Sequence, residues 1–220
     1  MAPEPDTLLV IDTATEACSV ALFDRGALIA SDHAVMGRGH AERLVPMIAR
    51  LPGKGRAAAV LVNCGPGSFT GVRVGLAAAR ALGLAWNVPV SGYSTLSLVA
   101  AMALAEAADG AGVDVVMTGG HGEYFVQGFD ARGVATGALA SLTPDAAAAA
   151  CTRMHVAGSI AQALVAARGF GTAQPLLPDA RSALLLAPDA RTLAADPVYG
   201  RGADAKPMAV QPPAPAAAPV

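Results

Sequence analysis

Residues 63–76, NCGPGSFTGVRVGL, hold the types and spacing best suited to chemistry: a glycine-rich turn between an apolar run at residues 59–62 and a helix read over residues 70–86. A strand stopped by Gly-Pro-Gly and followed by a helix leaves free backbone N–H groups at a strand end, which Ser68 or Thr70 can cap. Three enzymatic versions of such a turn fail on spacing. A Walker A loop needs four residues between its first glycine and Gly-Lys-Ser/Thr, and neither Gly65 nor Gly67 has that partner. Gly65, Gly67 and Gly71 read GxGxxxG, one residue too long for the dinucleotide fingerprint. Pro66 stands where a nucleophile elbow around Ser68 needs glycine. A turn that binds no ligand is the plain alternative.

Other reactive side chains are scattered. Asp12 ends the first apolar run and is followed by Thr13-Ala14-Thr15, a context in which aspartate caps its own turn. His40 has no second histidine at helical spacing, and His33 precedes it across a loop, so the converging ligands of a metal site are not assembled. His40 is read instead as exposed or partner-facing, with Glu42 and Arg43 a solvated pair. His121 and Glu123 can be written as an acid–base pair, but a surface turn through residues 118–123 is the preferred reading. Cys18, Cys64 and Cys151 are far apart in apolar surroundings, as reduced core thiols are.

The elements that must position these groups follow from apolar patterning. Residues 8–12, 19–24 and 27–31 read as an antiparallel meander, followed by a helix over 39–51, a strand over 59–62 and the helix over 70–86. The first helix has an approximate apolar face, His40, Leu44, Met47, Ile48 and Leu51, interrupted by Pro46. In the second, Gly71, Gly75, Ala79 and Gly83 recur every four residues and form a stripe of small side chains. Helix-interior glycine costs about 0.8–1 kcal/mol relative to alanine, so the stripe implies close approach, either to the chain's own sheet or to a second helix. Arg73 and Arg80 share a neighbouring face, for solvent or for a partner, with solvent preferred.

Ser94 can cap a further helix ending near Glu106, and a turn at 109–112 closes it. A second, weaker meander follows at 113–117, 124–129 and 133–139, then a strand over 154–158, a helix over 159–168 and a short helical core at 184–186. The charge-free run 81–105 is long enough for a membrane span, but Asn87, Pro89, Ser91, Gly92 and Ser94 break it into helix end, strand, turn and new helix. The opening residues MAPEPDT have neither the basic nor the apolar region of a secretory signal. Residues 207–220, rich in proline and alanine, are read as an extended, mobile tail.

With 220 residues, 54% hydrophobic and 15% charged, the chain can bury a sizeable core. Its net charge of -2 and two lysines, without a basic run, offer no electrostatic footprint for RNA.

Four segments, IDTATEACSVAL at 11–22, GHAERLVPMI at 39–48, CGPGSFTGVRVGLAAARALGLA at 64–85 and VPVSGYSTL at 88–96, together resemble the TsaB family. The resemblance covers most of residues 8–105 and implies an α/β actin-like ATPase (ASKHA) fold of two ribonuclease-H-like halves, with mixed sheets flanked by helices. The expected division is an N-terminal half at 1–105, a C-terminal half at 106–206 and the tail. The implied function is a non-catalytic dimerisation subunit in the complex that makes threonylcarbamoyladenosine on tRNA, supporting a TsaD-like catalytic subunit beside a TsaE-like ATPase, in the cytoplasm. A homodimer is also implied, tRNA is met only indirectly, and no membrane is involved. The chain is expected to carry no cofactor or metal of its own, ATP and a metal ion belonging to the partner subunits.

At residue level the resemblance implies a partner surface of His40, Leu44, Ile48, Phe69, Val72, Arg73, Gly75, Leu76 and Ala79. A bulky residue at Gly75 would then weaken association and leave the isolated chain folded. Asp12, Thr13, Thr15 and Gly158 become degraded nucleotide-site positions, because the glycine that lets backbone wrap a phosphate after the aspartate is missing. An autonomous actin-like kinase or phosphotransferase is the alternative. It needs the phosphate cradle that residues 12–15 and the loop at Thr118 do not spell.

Overall fold

The computed structural model describes residues 5–107 and 110–200. The tail read from Pro207 onward, and Asp109 of the turn at 109–112, lie outside them. Two five-stranded sheets form the frame. In the first, β1 (Thr7–Asp12), β2 (Ala17–Asp24) and β3 (Ala27–Val35) make the expected meander, then α1 (His40–Arg50), β4 (Ala59–Asn63), α2 (Phe69–Trp86) and β5 (Val90–Tyr93) follow. The strand order is β3-β2-β1-β4-β5, with β1, β4 and β5 parallel.

After α3 (Thr95–Glu106) the plan repeats with β6 (Val113–Thr118), β7 (Tyr124–Phe129), β8 (Ala140–Leu142), α4 (Pro144–Ala150), β9 (His155–Ala157), α5 (Ala161–Arg168) and β10 (Thr172–Gln174). Read from its meander edge, the second sheet runs β8-β7-β6-β9-β10, the same topology with shorter elements. Two ribonuclease-H-like halves with mixed sheets flanked by helices are what the family resemblance implied.

The layers follow from where apolar side chains go. Leu44, Met47 and Ile48 of α1, with Val72, Leu76 and Ala79 of α2, pack on one face of the first sheet. Its other face is covered by Leu98 of α3 and by Ala180 and Ala183 of a 3-10 turn at Ala180–Leu185, where the chain returns from the second half. Leu96, Val99, Ala100 and Ala103 of α3 pack instead with the second sheet, whose far face carries Ala147 of α4 with Ala161 and Leu164 of α5. Helix α3 is therefore apolar on two sides, as a helix held between two sheets must be. Among the described residues no helix is long and apolar enough to cross a membrane.

The third strand of the second meander differs from its expected place at 133–139. Asp130 accepts from the N–H groups of Arg132 and Val134 and holds a turn in which Gly133 has φ +76°. Only the single bridge Phe129–Ala135 forms there, and pairing resumes at β8. A polar turn built on one aspartate has taken residues whose apolar pattern alone suggested a strand.

Candidate functional site

The C-terminal ends of parallel strands are where an open α/β sheet presents its ligand groups. In the first half those ends carry Asp12 on β1, Asn63 on β4 and Tyr93 on β5, and the three close on one another. Asn63 Nδ2 and Tyr93 Oη each donate to Asp12 Oδ2 at 2.7 Å, and the Ala14 N–H donates to Oδ1 at 3.1 Å. Asn63 Oδ1 in turn accepts from the Gly65 N–H and from Thr95 Oγ1, both at 2.8 Å. Asp12, Asn63, Tyr93 and Thr95 are all buried. Burial pushes the Asp12 carboxyl above its ordinary value, against the pull of its three donors, and drives Tyr93 well above the ordinary phenol value. Asp12 does cap its own turn, as its sequence context suggested, but its remaining lone pairs are spent inside the protein.

The turn after Asp12 is closed by the N-terminus of α2. The Ser68 N–H donates to the Ala14 carbonyl at 2.7 Å, and Thr13 Oγ1 donates to the Gly71 carbonyl at 2.7 Å. Thr15 Oγ1 accepts from the Ala17 N–H at 3.2 Å, and Ser68 caps α2 by accepting from the Gly71 N–H. Two of the donors that a strand–turn–helix can offer an anion, the Ser68 and Gly71 N–H groups, are thus taken by the chain itself.

The glycine stripe takes part in the same closure. A Cβ on Gly71 would lie 2.1 Å from the Thr13 carbonyl oxygen, and one on Gly75 would lie 2.4 Å from Thr13 Oγ1. The stripe lets α2 touch β1 and the turn after it, so it belongs to the chain's own packing. Leu44, Ile48, Val72, Gly75, Leu76 and Ala79, expected on a partner surface, are buried under the helices. His40 is buried as well, its Nε2 3.2 Å from the Ala17 carbonyl oxygen, which corrects the exposed or partner-facing reading. With those contacts, a bulky residue at Gly75 strikes the sheet of the isolated chain, contrary to the sequence expectation. Of the nine positions, only Phe69 and Arg73 remain exposed.

Arg73 and Arg80 are exposed, as the preferred reading had it, and also reach the returning segment 193–200. Arg73 Nη2 donates to Tyr199 Oη at 2.9 Å, and Arg80 Nη2 binds the Ala195 carbonyl and the Asp196 carboxylate. That segment pairs with β5 through Gly92 and Leu193, and the Val198 N–H donates to the Cys64 carbonyl. No sequence signal in the segment announces these contacts, because both partners lie more than a hundred residues away along the chain.

Between the halves lies a cavity of about 800 Å³, lined from the first half by Ala14, Glu16, Ser68, Phe69 and Arg73 and from the second by Met117, Thr118, Gly119, Gly120, His121, Phe125 and Ser159. Ser159 Oγ accepts from the Thr118 N–H at 3.0 Å and lies 3.1 Å from Thr118 Oγ1. Gly158, expected among the nucleotide positions, has φ +115°, and a Cβ there would sit 2.3 Å from the Val116 carbonyl oxygen. Its glycine is thus required by the turn into α5. Glu123 accepts from Ser141 Oγ at 2.6 Å, and His121 lines the cavity at φ +58°. Among the described residues no three His, Cys, Asp or Glu side chains converge as metal ligands would. The three cysteines are buried, with burial lifting each thiol to about 11.

Two sheets of this order, joined across a cleft, define an α/β protein of the actin-like ATPase class. The family described as "TsaD: tRNA N6-adenosine threonylcarbamoyltransferase" matches residues 33–173. YeaZ from Pseudomonas aeruginosa superposes with a TM-score of 0.74 at 30% identity over 88% of this chain and 99% of that one. A second Pseudomonas aeruginosa structure, of an uncharacterized protein with similarity to peptidase YEAZ, gives 0.74 at 32% identity over 89% and 100%. The tRNA threonylcarbamoyladenosine biosynthesis protein TsaB of Escherichia coli is 41% identical over 98 residues, 42% of each chain. Its Bacillus subtilis counterpart is 32% identical over 100 residues, 43% of this chain and 44% of that one. The chain therefore matches less than half the length of these curated relatives. The chain belongs to the TsaB family.

Proposed function

We propose that the chain is a non-catalytic subunit of the machinery that transfers a threonylcarbamoyl group to N6 of a tRNA adenosine beside the anticodon, supporting a TsaD-like catalytic partner in the cytoplasm. The observation that carries this reading is the closure of the first half's strand ends. Asp12 is buried among neutral donors, and the N–H of Ser68, the residue that caps α2, is bonded to the Ala14 carbonyl. A phosphoryl-transfer site needs charge-stabilising groups presented to the substrate, and here they are turned inward.

The partner surface follows from what α1 and α2 leave uncovered. Ala41, Val45 and Ala49 line the outer side of α1, and Ala77, Ala81 and Leu84 that of α2, with Val45 63% and Leu84 87% exposed. Two helices side by side on one sheet face, each with an apolar outer stripe, can form half of a four-helix contact, whether with a TsaD-like protein or with a second copy. Phe69 and Arg73 stand at one end of α2 as rim groups. ATP and metal chemistry are assigned to the TsaD-like and TsaE-like partners, and a net charge of -2 leaves tRNA to them as well.

Reconstitution tests this assignment. The chain alone is expected to give neither ATP hydrolysis nor threonylcarbamoyl transfer, and to restore transfer when added to a TsaD-like and a TsaE-like protein. Leu84→Glu should abolish the restoration while circular dichroism stays unchanged, since a charge is placed in the middle of an apolar contact. Turnover by the chain alone, or full restoration by Leu84→Glu, would overturn the reading.

A further inference from the structure

We propose that the cleft between the halves is a binding site for a small organic anion with a planar apolar body, anchored by Arg73. This inference does not rest on the partner assignment above, although Phe69 and Arg73 serve in both. A cavity of about 800 Å³ falls within the range of ligand pockets, and its position between two halves is where such pockets occur. Its walls combine aromatic and aliphatic surface, from Phe69, Val72, Met117, Phe125, Val198 and Tyr199, with hydroxyl groups and three charged or titratable side chains, Arg73, His121 and Glu16.

Arg73 is the group that gives the site a sign. Its guanidinium carbon lies 3.4 Å from the centroid of the Phe69 ring and 5.9 Å from that of Tyr199, so the cation is held between two aromatic faces. One donor is used by Tyr199 Oη, and among the described residues no carboxylate pairs with it. Arg50, Arg80, Arg132, Arg153 and Arg181, by contrast, each have an aspartate. A stacked guanidinium is pre-oriented, so little further side-chain entropy is lost when an anion takes its remaining donors. Thr118 and Ser159 add hydroxyl groups on the opposite wall, and the apolar walls suit a flat hydrocarbon or heteroaromatic body.

The turn of the first half also lines the cavity, but its Ser68 N–H already serves the Ala14 carbonyl and its Gly71 N–H serves Ser68 Oγ. The anion is bound at the helix side chain instead, one turn into α2. That placement favours a single carboxylate, sulfonate or phosphate on an apolar body over a polyphosphate, which would need the occupied turn.

The test uses the full 220-residue chain and two probes: 8-anilinonaphthalene-1-sulfonate, and its uncharged analogue N-phenyl-1-naphthylamine. Fluorescence titration should show saturable binding of both, with the sulfonate bound about tenfold more tightly, as one charge-assisted contact provides. Arg73→Gln should remove that preference and leave the uncharged probe unaffected. Gly120→Trp should block both, since Gly120 lines the cavity and a Cβ there meets nothing within 4 Å, leaving room for the ring on that wall. Circular dichroism on each variant confirms the fold. Absence of saturable binding, equal affinity for the two probes, a preference that survives Arg73→Gln, or undiminished binding to a folded Gly120→Trp would each overturn the proposal.

Discussion

Each half buries one aspartate on its central strand, and the two are neutralised in opposite ways. Asp12, at the end of β1, is surrounded by neutral donors from β4, β5 and its own turn. Asp114, near the start of β6, is paired with a cation: Arg153 donates to it through Nη1 at 2.7 Å and through its own backbone N–H at 2.9 Å, and holds Thr136 through Nη2. The first arrangement ties three strand ends together beside the cleft. The second ties loops together at the other end of its sheet and leaves Thr118 and Ser159 facing the cleft. The same topology therefore carries a closed strand end in one half and an open one in the other. Which end of the central strand holds the acid decides this, not the strand order.

The contrast can be broken most severely at Arg153. Arg153→Ala leaves Asp114 buried with one backbone donor, and breaking such a pair costs several kcal/mol. Because the arginine is about one third exposed, the lower end applies, about 3 kcal/mol by urea unfolding at pH 7. A loss below about 1 kcal/mol would mean that Asp114 is neutralised some other way.

Gly75 probes the first half. Gly75→Ala should cost about 2 kcal/mol, because its Cβ would lie 2.4 Å from Thr13 Oγ1 and displace that buried hydroxyl from the Gly71 carbonyl. A neutral or stabilising result, the usual gain from alanine in a helix, would show that α2 has room to move away from β1.

The smallest effect, and the most diagnostic, is expected at Tyr93. Native Asp12 keeps its proton to a higher pH than the unfolded chain does, so its contribution is complete below 3.8 and declines as pH rises through the raised native value. Tyr93 opposes that decline by donating to the carboxylate. The cost of Tyr93→Phe should therefore rise with pH, from less at pH 4, where native Asp12 is more protonated and accepts from Tyr93 as a neutral carboxyl, to about 1.5 kcal/mol at pH 7 as ionisation strengthens the bond. Equal losses at the two pH values would show that the hydroxyl serves packing alone.

How much of this could be read from the residues depended on distance along the chain. The meander, the glycine turn and the cap at Ser68 are local, and their turn chemistry fixes them within a few residues. The self-capping of Asp12 is local too, but its bonds to Asn63 and Tyr93 span 51 and 81 residues. Periodicity showed that Gly71, Gly75, Ala79 and Gly83 share a face without saying what that face meets. His40 was misread for a related reason: a lone histidine at a helix start looks solvent-facing until β2 supplies the Ala17 carbonyl. Arg73 was visible as a cation but not as part of a cleft, since Tyr199 approaches from a segment without pattern. The strand read at 133–139 failed because one aspartate's local bonds outweigh a weak apolar alternation.

The helix held between the sheets has a consequence for synthesis. A ribosome delivers α3 before any strand of the second sheet exists, so Leu96, Val99 and Ala103 emerge with nothing to cover them. The 3-10 turn at Ala180–Leu185, which shields the rest of that face of the first sheet, leaves later still. The N-terminal half of the nascent chain thus waits, with an adhesive flank open to water or to a chaperone, until almost the last of its described neighbours has been made.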